Sequence, residues 1–128
     1  MNRIKVICAI ISFGSRVLVV QRGEGMSMPL KWEFPGGKVE KGESEEACVK
    51  REIKEELDIE IKLLKRLTPV RHSYPHVSIE LIPFQADFYR GEVNLLEHKQ
   101  YLLLDKQQLG DLDWADADVP IVNEYMEL

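Results

Sequence analysis

The segment between residues 44 and 57 predicts an amphipathic helix. Ser44 is a preferred N-cap residue, and the two glutamates that follow it occupy the first turn, where the helix dipole favours acidic side chains. Val49, Ile53 and Leu57 recur every four residues and form one apolar stripe. We therefore expect a helix from Ser44 to about Leu57 that packs one face on a core.

Runs rich in apolar and β-branched residues lie on both sides of this helix and predict strands. We expect these strands at residues 3–12, 16–22, 31–34, 59–72, 76–90 and 100–104. A last helix is expected after Asp118, with Ile121, Val122, Tyr125 and Met126 on its inner side. Interleaved strands and helices make the fold class α/β or α+β with a mixed sheet, and 128 residues suit one domain, 1–128.

The net charge of −5 is concentrated around the predicted helix. Residues 43–60 hold eight of the 22 acidic and three of the 17 basic side chains, so the rest of the chain holds 14 of each. An acidic balance disfavours non-specific binding to nucleic acid or to a membrane. It does not disfavour a phosphorylated ligand that is held through a cation.

The amino-terminal region and the cysteines indicate a reduced compartment. The apolar run from Val6 to Ile11 is too short for a signal peptide, and no segment approaches transmembrane length. Cys8 and Cys48 both have apolar neighbours and are interpreted as small buried hydrophobic residues. We expect a cytoplasmic protein.

Three glutamates share one face of the predicted helix. Glu52, Glu55 and Glu56 fall within an arc of about 100°. Glu52 and Glu56 have no basic residue three or four positions away, and their own i,i+4 spacing costs about 0.2–0.5 kcal/mol. A solvated face is one interpretation, and a bound cation that gathers the carboxylates is the other. Oxygen ligands alone favour Mg²⁺ or Mn²⁺ over Zn²⁺.

The residues around this face form a specific motif. Residues 36–61 read GGKVEKGESEEACVKREIKEELDIEI, which resembles the signature of the Nudix hydrolases, G-x5-E-x7-R-E-U-x-E-E-x-G-U with U aliphatic. The matching residues are Gly37, Glu43, Arg51, Glu52, Ile53, Glu55, Glu56 and Ile59. Asp58 stands where the pattern has glycine, and Asp tolerates a left-handed backbone better than most residues.

Other stretches resemble the MutT-like branch of this family, namely WEFPGGKVEKGE at residues 32–43, Gln21-Arg22 and Asp118-Val119-Pro120. The resemblance implies the Nudix fold, a mixed β-sheet sandwiched between helices. It also implies a small-molecule nucleoside triphosphate as the partner. The implied reaction is attack of water on a phosphoanhydride, dependent on Mg²⁺ or Mn²⁺, which releases nucleoside monophosphate and pyrophosphate.

The resemblance also assigns metal ligands. It makes Glu55 and Glu56 ligands, Glu52 a ligand or a general base, and the Gly36 carbonyl a further ligand. Glu97 corresponds to a carboxylate that MutT-like enzymes bring to the metal from a later loop, and a surface acid is its alternative role.

The remaining polar residues of the motif receive supporting roles. Arg51 is expected to orient Glu43 or a neighbouring carboxylate, while Glu43 has helix entry as its alternative role. Lys38 follows the two glycines and is a candidate phosphate contact, with a solvated lysine as the alternative.

Base recognition by this resemblance involves three residues. Arg22 and Phe34 correspond to positions that line the base pocket, although Phe34 suits a core equally well. Asp118 can accept hydrogen bonds from a base amine or ring N–H, and its competing role is a helix N-cap. The base is left open between an oxidised purine such as 8-oxo-dGTP and a pyrimidine such as (d)CTP.

The leading hypothesis is thus a nucleotide-pool pyrophosphohydrolase. Hydrolysis of another nucleoside-diphosphate-linked compound is a second hypothesis, and a non-catalytic nucleotide-binding module is a third. The intact Glu52, Glu55 and Glu56 argue against the binding module. The sequence leaves a monomer and a homodimer equally open.

Overall fold

A computed structural model describes residues 3–128 of the chain. Its strands are β1 (Ile4–Phe13), β2 (Arg16–Gln21), β3 (Trp32–Glu33), β4 (Gly36–Lys38), β5 (Ile59–Arg66), β6 (Val70–Tyr74), β7 (Val77–Gly91) and β8 (Gln100–Asp105). Its α-helices are α1 (Glu45–Leu57) and α2 (Val119–Met126). Two 3-10 helices span Lys106–Asp111 and Asp116–Asp118.

All of these strands belong to one mixed sheet. β1 and β7 are parallel neighbours, in register from Ile4 opposite Ile79 to Ser12 opposite Asp87. The other pairs are antiparallel: β2 pairs with β1, β3 and β8, β4 pairs with β1, and β5 and β6 pair with β7. The predicted mixed sheet is confirmed.

The alternation of side chains along β1 divides the core into two layers. Ile7, Ala9 and Ile11 belong to the apolar cluster that contains the stripe of α1. Cys8 and Ile10 point the other way and join the cluster that contains α2. The sheet therefore lies between the two helices, as the sequence predicts.

Helix α1 has the predicted cap and the predicted buried stripe. The Ser44 hydroxyl accepts a hydrogen bond from the Ala47 N–H at 3.1 Å. Val49, Ile53 and Leu57 are fully buried. Burial of these three side chains contributes about 1.5–3 kcal/mol each and fixes which face of the helix is left for other roles.

The end of α1 explains the departure from the family motif. Asp58 has φ 58° and ψ 33°, which is the left-handed conformation, and its N–H donates to the Lys54 carbonyl at 3.0 Å. This is the position where glycine is usual, so the local geometry is kept although the residue differs.

The boundaries of two predicted segments were wrong. The predicted strand at residues 59–72 divides into β5 and β6, because the chain leaves the sheet at Thr68-Pro69, where proline has no N–H to donate. The predicted strand at residues 31–34 is shortened to β3, and a further strand that was not predicted, β4, begins at Gly36.

The last helix and the cysteines follow the sequence with one exception. Ile121, Val122 and Tyr125 are buried as predicted, whereas Met126 is 38% exposed because it ends the helix on the solvent side. Cys8 and Cys48 are buried and free. No helix within residues 3–128 is long and apolar enough to cross a bilayer.

Substitution of Asp58 tests the left-handed helix end. We expect Asp58→Val to be about 1–2 kcal/mol less stable than Asp58→Gly, since a β-branched side chain is strained at this φ. Urea unfolding of both variants measures the difference. Lys62→Val, at an exposed position of β5, is the control and should change stability by no more than about 0.5 kcal/mol. Equal stability of the two Asp58 variants would contradict the assignment.

Candidate active site

Arg51 connects the carboxylates on the exposed side of α1. Its Nε and Nη2 donate to the two oxygens of Glu43 at 2.6 and 2.9 Å, and its Nη1 donates to Glu52 at 2.8 Å and to Glu55 at 3.1 Å. Its Nη2 also donates to the Lys38 carbonyl at 3.2 Å. These bonds place the predicted orienting residue among the carboxylates it was expected to orient.

The same bonds shift the proton affinities of the partners. The hydrogen bond from Arg51 lowers the pKa of Glu43 to about 2, with help from the backbone N–H of Glu40. The three glutamates hold the pKa of Arg51 above its ordinary value. Glu43 and Arg51 therefore stay ionised and form a fixed pair at the start of the helix.

Glu52 lies against strand β4. A side chain at Gly37 would collide with its carboxylate, so the glycine allows this approach. Partial burial raises the pKa of Glu52, while the bond from Arg51 opposes that rise. No cationic partner was predicted for Glu52, because no basic residue lies three or four positions away from it. That was incomplete, because the long side chain of Arg51 reaches the neighbouring position directly.

Glu56 is the most buried carboxylate of the helix, with only 3% of its surface exposed. Its Oε1 accepts a hydrogen bond from the Gly36 N–H at 3.1 Å. Desolvation, followed by the charges of Glu33, Glu97 and Glu52, raises its pKa to about 9. Without a cation this carboxyl group is protonated at neutral pH.

His98 lies between two acids and was not singled out from the sequence. Its Nε2 is 2.8 Å from Glu33 Oε2, and its Nδ1 is 3.5 Å from Glu56 Oε2. The second distance is long for a hydrogen bond, and Nδ1 is the one buried side-chain N or O atom in residues 3–128 without a hydrogen-bond partner. Glu33 Oε1 in turn accepts from Arg22 Nη1 at 2.9 Å.

Glu97 precedes this histidine on the loop between β7 and β8. The loop is fixed to the end of α1, because the Leu96 N–H donates to the Glu56 carbonyl at 3.1 Å and the Asn94 N–H donates to the Leu57 carbonyl at 2.9 Å. Glu97 is exposed, and its charge contributes to the raised pKa of Glu56. The loop thus brings this carboxylate within electrostatic reach of the helix.

The donor set fits a hard divalent cation. Glu52, Glu55, Glu56 and Glu97 supply only oxygen atoms, and after burial the charges of Glu33, Glu97 and Glu52 are what raises the pKa of Glu56. No three His, Cys, Asp or Glu side chains of residues 3–128 converge as metal ligands. The carboxylates of Glu52 and Glu55 accept from Arg51, and that of Glu56 accepts from the Gly36 N–H.

A cavity of about 210 Å³ lies on the other side of β4. The four residues predicted to bind substrate all line it, namely Arg22, Phe34, Lys38 and Asp118. A larger groove of about 700 Å³ runs between α1 and β5, but of the predicted site residues it contacts only Arg51. The smaller cavity is therefore the candidate substrate pocket, since the predicted groups converge there.

Asp118 is buried at this cavity and occupies the N-cap position of α2, as predicted. Its side chain makes no capping hydrogen bond, so the predicted capping role of the carboxylate was wrong. Its Oδ2 instead accepts from the Phe34 N–H at 2.9 Å, just after strand β3. Burial, and next the charge of Glu33, hold the pKa of Asp118 well above its usual range.

The other predicted substrate-binding residues differ in how many contacts their side chains already make within the protein. Arg22 donates to the Ser27 carbonyl at 2.6 Å and to the Ser27 hydroxyl at 3.0 Å in addition to Glu33, so most of its guanidinium holds the adjoining loop. Phe34 is 2% exposed and packs on Trp114 with ring centroids 4.9 Å apart. Phe34 therefore belongs to the core and also lines the cavity, while its role in base binding stays a prediction. Lys38 is exposed.

Glu33, His98 and Tyr74 are polar residues at this site that were not singled out from the sequence. Tyr74 lines the cavity, and its hydroxyl accepts from the Ala117 N–H at 2.9 Å. Glu33 stands between two large aromatic residues in a short strand, which is an unusual place for an acid. That position was the signal available in the sequence.

The fold and this site define a hydrolase with an acidic helix next to a substrate cavity. The chain belongs to the Nudix family, since the model described as "NUDIX domain" matches residues 1–118. It is 29% identical to the CTP pyrophosphohydrolase of Escherichia coli K12 over 128 residues, which cover all of this chain and 95% of that protein. It is 34% identical to the putative 8-oxo-dGTP diphosphatase 2 of Mycobacterium tuberculosis H37Rv over 119 residues, which cover 92% and 84% of the two chains.

Solved structures show the same relationship. The solution structure of the E. coli ORF135 protein has a TM-score of 0.88 at 30% identity and covers 100% of this chain and 91% of its own. The MutT protein of methicillin-resistant Staphylococcus aureus 252 has a TM-score of 0.80 at 38% identity and covers 98% and 97%. The expected Nudix fold and the MutT-like branch are confirmed.

The buried proton on Glu56 predicts how stability changes with pH. The folded protein keeps this proton up to about pH 9, whereas an unfolded chain releases it near pH 4.5, so the stabilising contribution is lost as pH rises through that window. We expect metal-free Glu56→Gln to match wild type near pH 4.5 and to be more stable by on the order of 2 kcal/mol at pH 8.

Urea unfolding in the presence of a chelator at several pH values measures this difference. Glu55→Gln is the matched control, because that side chain is 57% exposed, and it should differ from wild type by no more than about 0.5 kcal/mol. A stability difference for Glu56→Gln that is the same at every pH would show that the carboxyl group is not buried as described.

Proposed function

We propose that this Nudix hydrolase converts a nucleoside triphosphate into nucleoside monophosphate and pyrophosphate. The observation that carries the proposal is the position of β4. Gly36 and Gly37 line the substrate cavity, while their other contacts are with the carboxylates of Glu56 and Glu52. A nucleotide whose base occupies the cavity would therefore extend its phosphates across β4 toward the acidic helix.

Glu52, Glu55, Glu56, Glu97 and the Gly36 carbonyl are the residues proposed to hold Mg²⁺ or Mn²⁺. A bound divalent cation supplies charge neutralisation for the phosphates and lowers the pKa of the attacking water. The chain itself supplies Glu52 as the carboxylate that orients this water and accepts its proton. Arg51 and Glu43 keep Glu52 in position, and Lys38 contacts a phosphate at the mouth of the cavity.

The substrate class follows from the cavity and from the relatives. Arg22, Phe34 and Asp118 are proposed to bind the base, by hydrogen bonds and stacking. Relatives are named for CTP and for 8-oxo-dGTP, so both a pyrimidine and an oxidised purine are proposed substrates. We further propose a single domain over residues 1–128 that acts on the nucleotide pool in the cytoplasm, without nucleic acid or membrane as partners.

A substrate panel tests this function. We expect Mg²⁺-dependent release of pyrophosphate from CTP, dCTP, 5-methyl-dCTP or 8-oxo-dGTP, and slower turnover of ADP-ribose and dinucleoside polyphosphates. Glu56→Gln should lower kcat by at least about 100-fold while the protein stays folded, because a metal ligand is lost. Release of orthophosphate instead of pyrophosphate would contradict the proposed bond cleavage. Thermal stabilisation by nucleotides with no turnover would indicate a binding module.

Asp118→Asn tests base recognition without disturbing the backbone contact. The amide oxygen of Asn can still accept from the Phe34 N–H, while the second atom changes from oxygen to an NH₂ donor. We expect the ratio of kcat/KM between the cytosine and 8-oxoguanine nucleotides to change by at least about 10-fold. Asp116→Asn, in the same 3-10 helix but exposed, should leave the ratio unchanged. An equal fall for all bases would contradict a role in base recognition.

A further inference from the structure

The side chain of His98 is 1% exposed and lies between the substrate cavity and the acidic helix. On one side its Nε2 contacts Glu33, which lines the cavity and holds Arg22. On the other side its Nδ1 faces Glu56 at 3.5 Å. A single buried ring therefore contacts one residue of each half of the site.

The contact with Glu33 fixes the orientation of the ring. An ionised carboxylate only accepts hydrogen bonds, and Glu33 is paired with the guanidinium of Arg22 at 2.9 Å. His98 Nε2 is consequently the donor to Glu33, and Nδ1 is the atom directed at Glu56. The two nitrogen atoms have separate partners and can be tested separately.

The loop that carries His98 is fixed at both ends. The Leu96 N–H donates to the Glu56 carbonyl at 3.1 Å, and the Lys99 N–H donates to the Gln21 carbonyl at 2.9 Å, next to Arg22. An apolar side chain could fill this space without leaving a buried nitrogen atom unpaired. A histidine here supplies a donor to Glu33 and directs a second nitrogen atom at Glu56, which an apolar side chain would not do.

We propose that His98 is a positioning residue that couples the substrate cavity to the metal-binding face of α1. Nε2 holds Glu33, and through it Arg22, in the geometry that receives the nucleotide. Nδ1 faces Glu56 Oε2 at 3.5 Å and is the nitrogen atom available to that carboxyl group, while the backbone bonds of Leu96 and Lys99 hold the loop that carries the adjacent Glu97. The inference rests on the proposed function, because it assigns the two contacts to nucleotide binding and to cation binding.

Two polar variants separate the two contacts. In His98→Gln the terminal amide can occupy the position of Nε2 and donate to Glu33, but nothing replaces Nδ1. In His98→Asn the shorter amide can occupy the position of Nδ1, but it cannot reach Glu33. His98→Leu removes both contacts. His76→Gln, at an exposed histidine, is the matched control.

Mn²⁺ binding without substrate and steady-state kinetics with the best nucleotide are the two measurements. We expect His98→Gln to raise the Kd for Mn²⁺, measured by electron paramagnetic resonance of the free ion, about 10-fold, and to leave KM within about 3-fold of wild type. His98→Asn should show the reverse, and His98→Leu both effects. The control should change neither quantity.

A purely structural role gives a different pattern. Equal changes in His98→Gln and His98→Asn that follow their melting temperatures, or no change in either, would overturn the proposal. If His98→Leu does not fold, the two polar variants still decide between these outcomes. Normal Mn²⁺ binding and turnover in wild type together with unchanged variants overturn this inference alone. A wild-type protein that neither binds Mn²⁺ nor hydrolyses any nucleotide overturns the proposed function, and this inference with it.

Discussion

Strand β4 runs so close to its neighbours that its first position requires glycine and its second favours it. A side chain at Gly36 would collide with the Ile7 backbone carbonyl oxygen of β1, and one at Gly37 would displace the Glu52 carboxylate of α1. Because the backbone comes this near, the Gly36 N–H reaches Glu56 and the same strand lines the cavity. These two glycines therefore place the cavity and the acidic helix close to one strand.

The carboxyl groups on α1 and just before it differ in how well their negative charge is compensated. Arg51 neutralises the carboxylates on the solvent side, so Glu43 stays ionised with a pKa of about 2. Glu56 lies beyond the reach of that guanidinium and receives one backbone N–H, which does not compensate for its burial. The segment from Glu43 through α1 therefore holds one carboxyl group that is ionised at almost any pH and one that is protonated at neutral pH. A divalent cation would reverse the second state, and for this reason stability and cation binding are linked.

Local features of the sequence predicted the two α-helices and the mixed sheet, and the family resemblance supplied four of the residues that line the cavity. Contacts between distant segments could not be predicted in the same way. Glu33 and His98 meet across 65 positions, and the partner of Asp118 is the backbone of Phe34, 84 positions away. An Asp before a proline at a helix start also satisfies the N-cap pattern, so the sequence alone could not decide which backbone N–H it would bind. The partner of Glu52 could not be predicted either. Helical spacing rules consider residues three or four positions apart, whereas the Arg51 side chain bonds the residue next to it.

The environment of Asp118 sets a condition on any base that enters the cavity. Its Oδ2 is engaged by the Phe34 N–H, so its second oxygen is the atom available to a ligand. In the ionised form that oxygen accepts from a ring N–H or an amine, as on a guanine-type edge. In the neutral form it can donate to a ring nitrogen, as on cytosine. Burial favours the neutral form of Asp118, and the charge of Glu33, which Arg22 and His98 hold in place, adds to this effect. Under the proposed function, the edge of the base that fits would therefore depend on the ion pairs behind the cavity as well as on its shape.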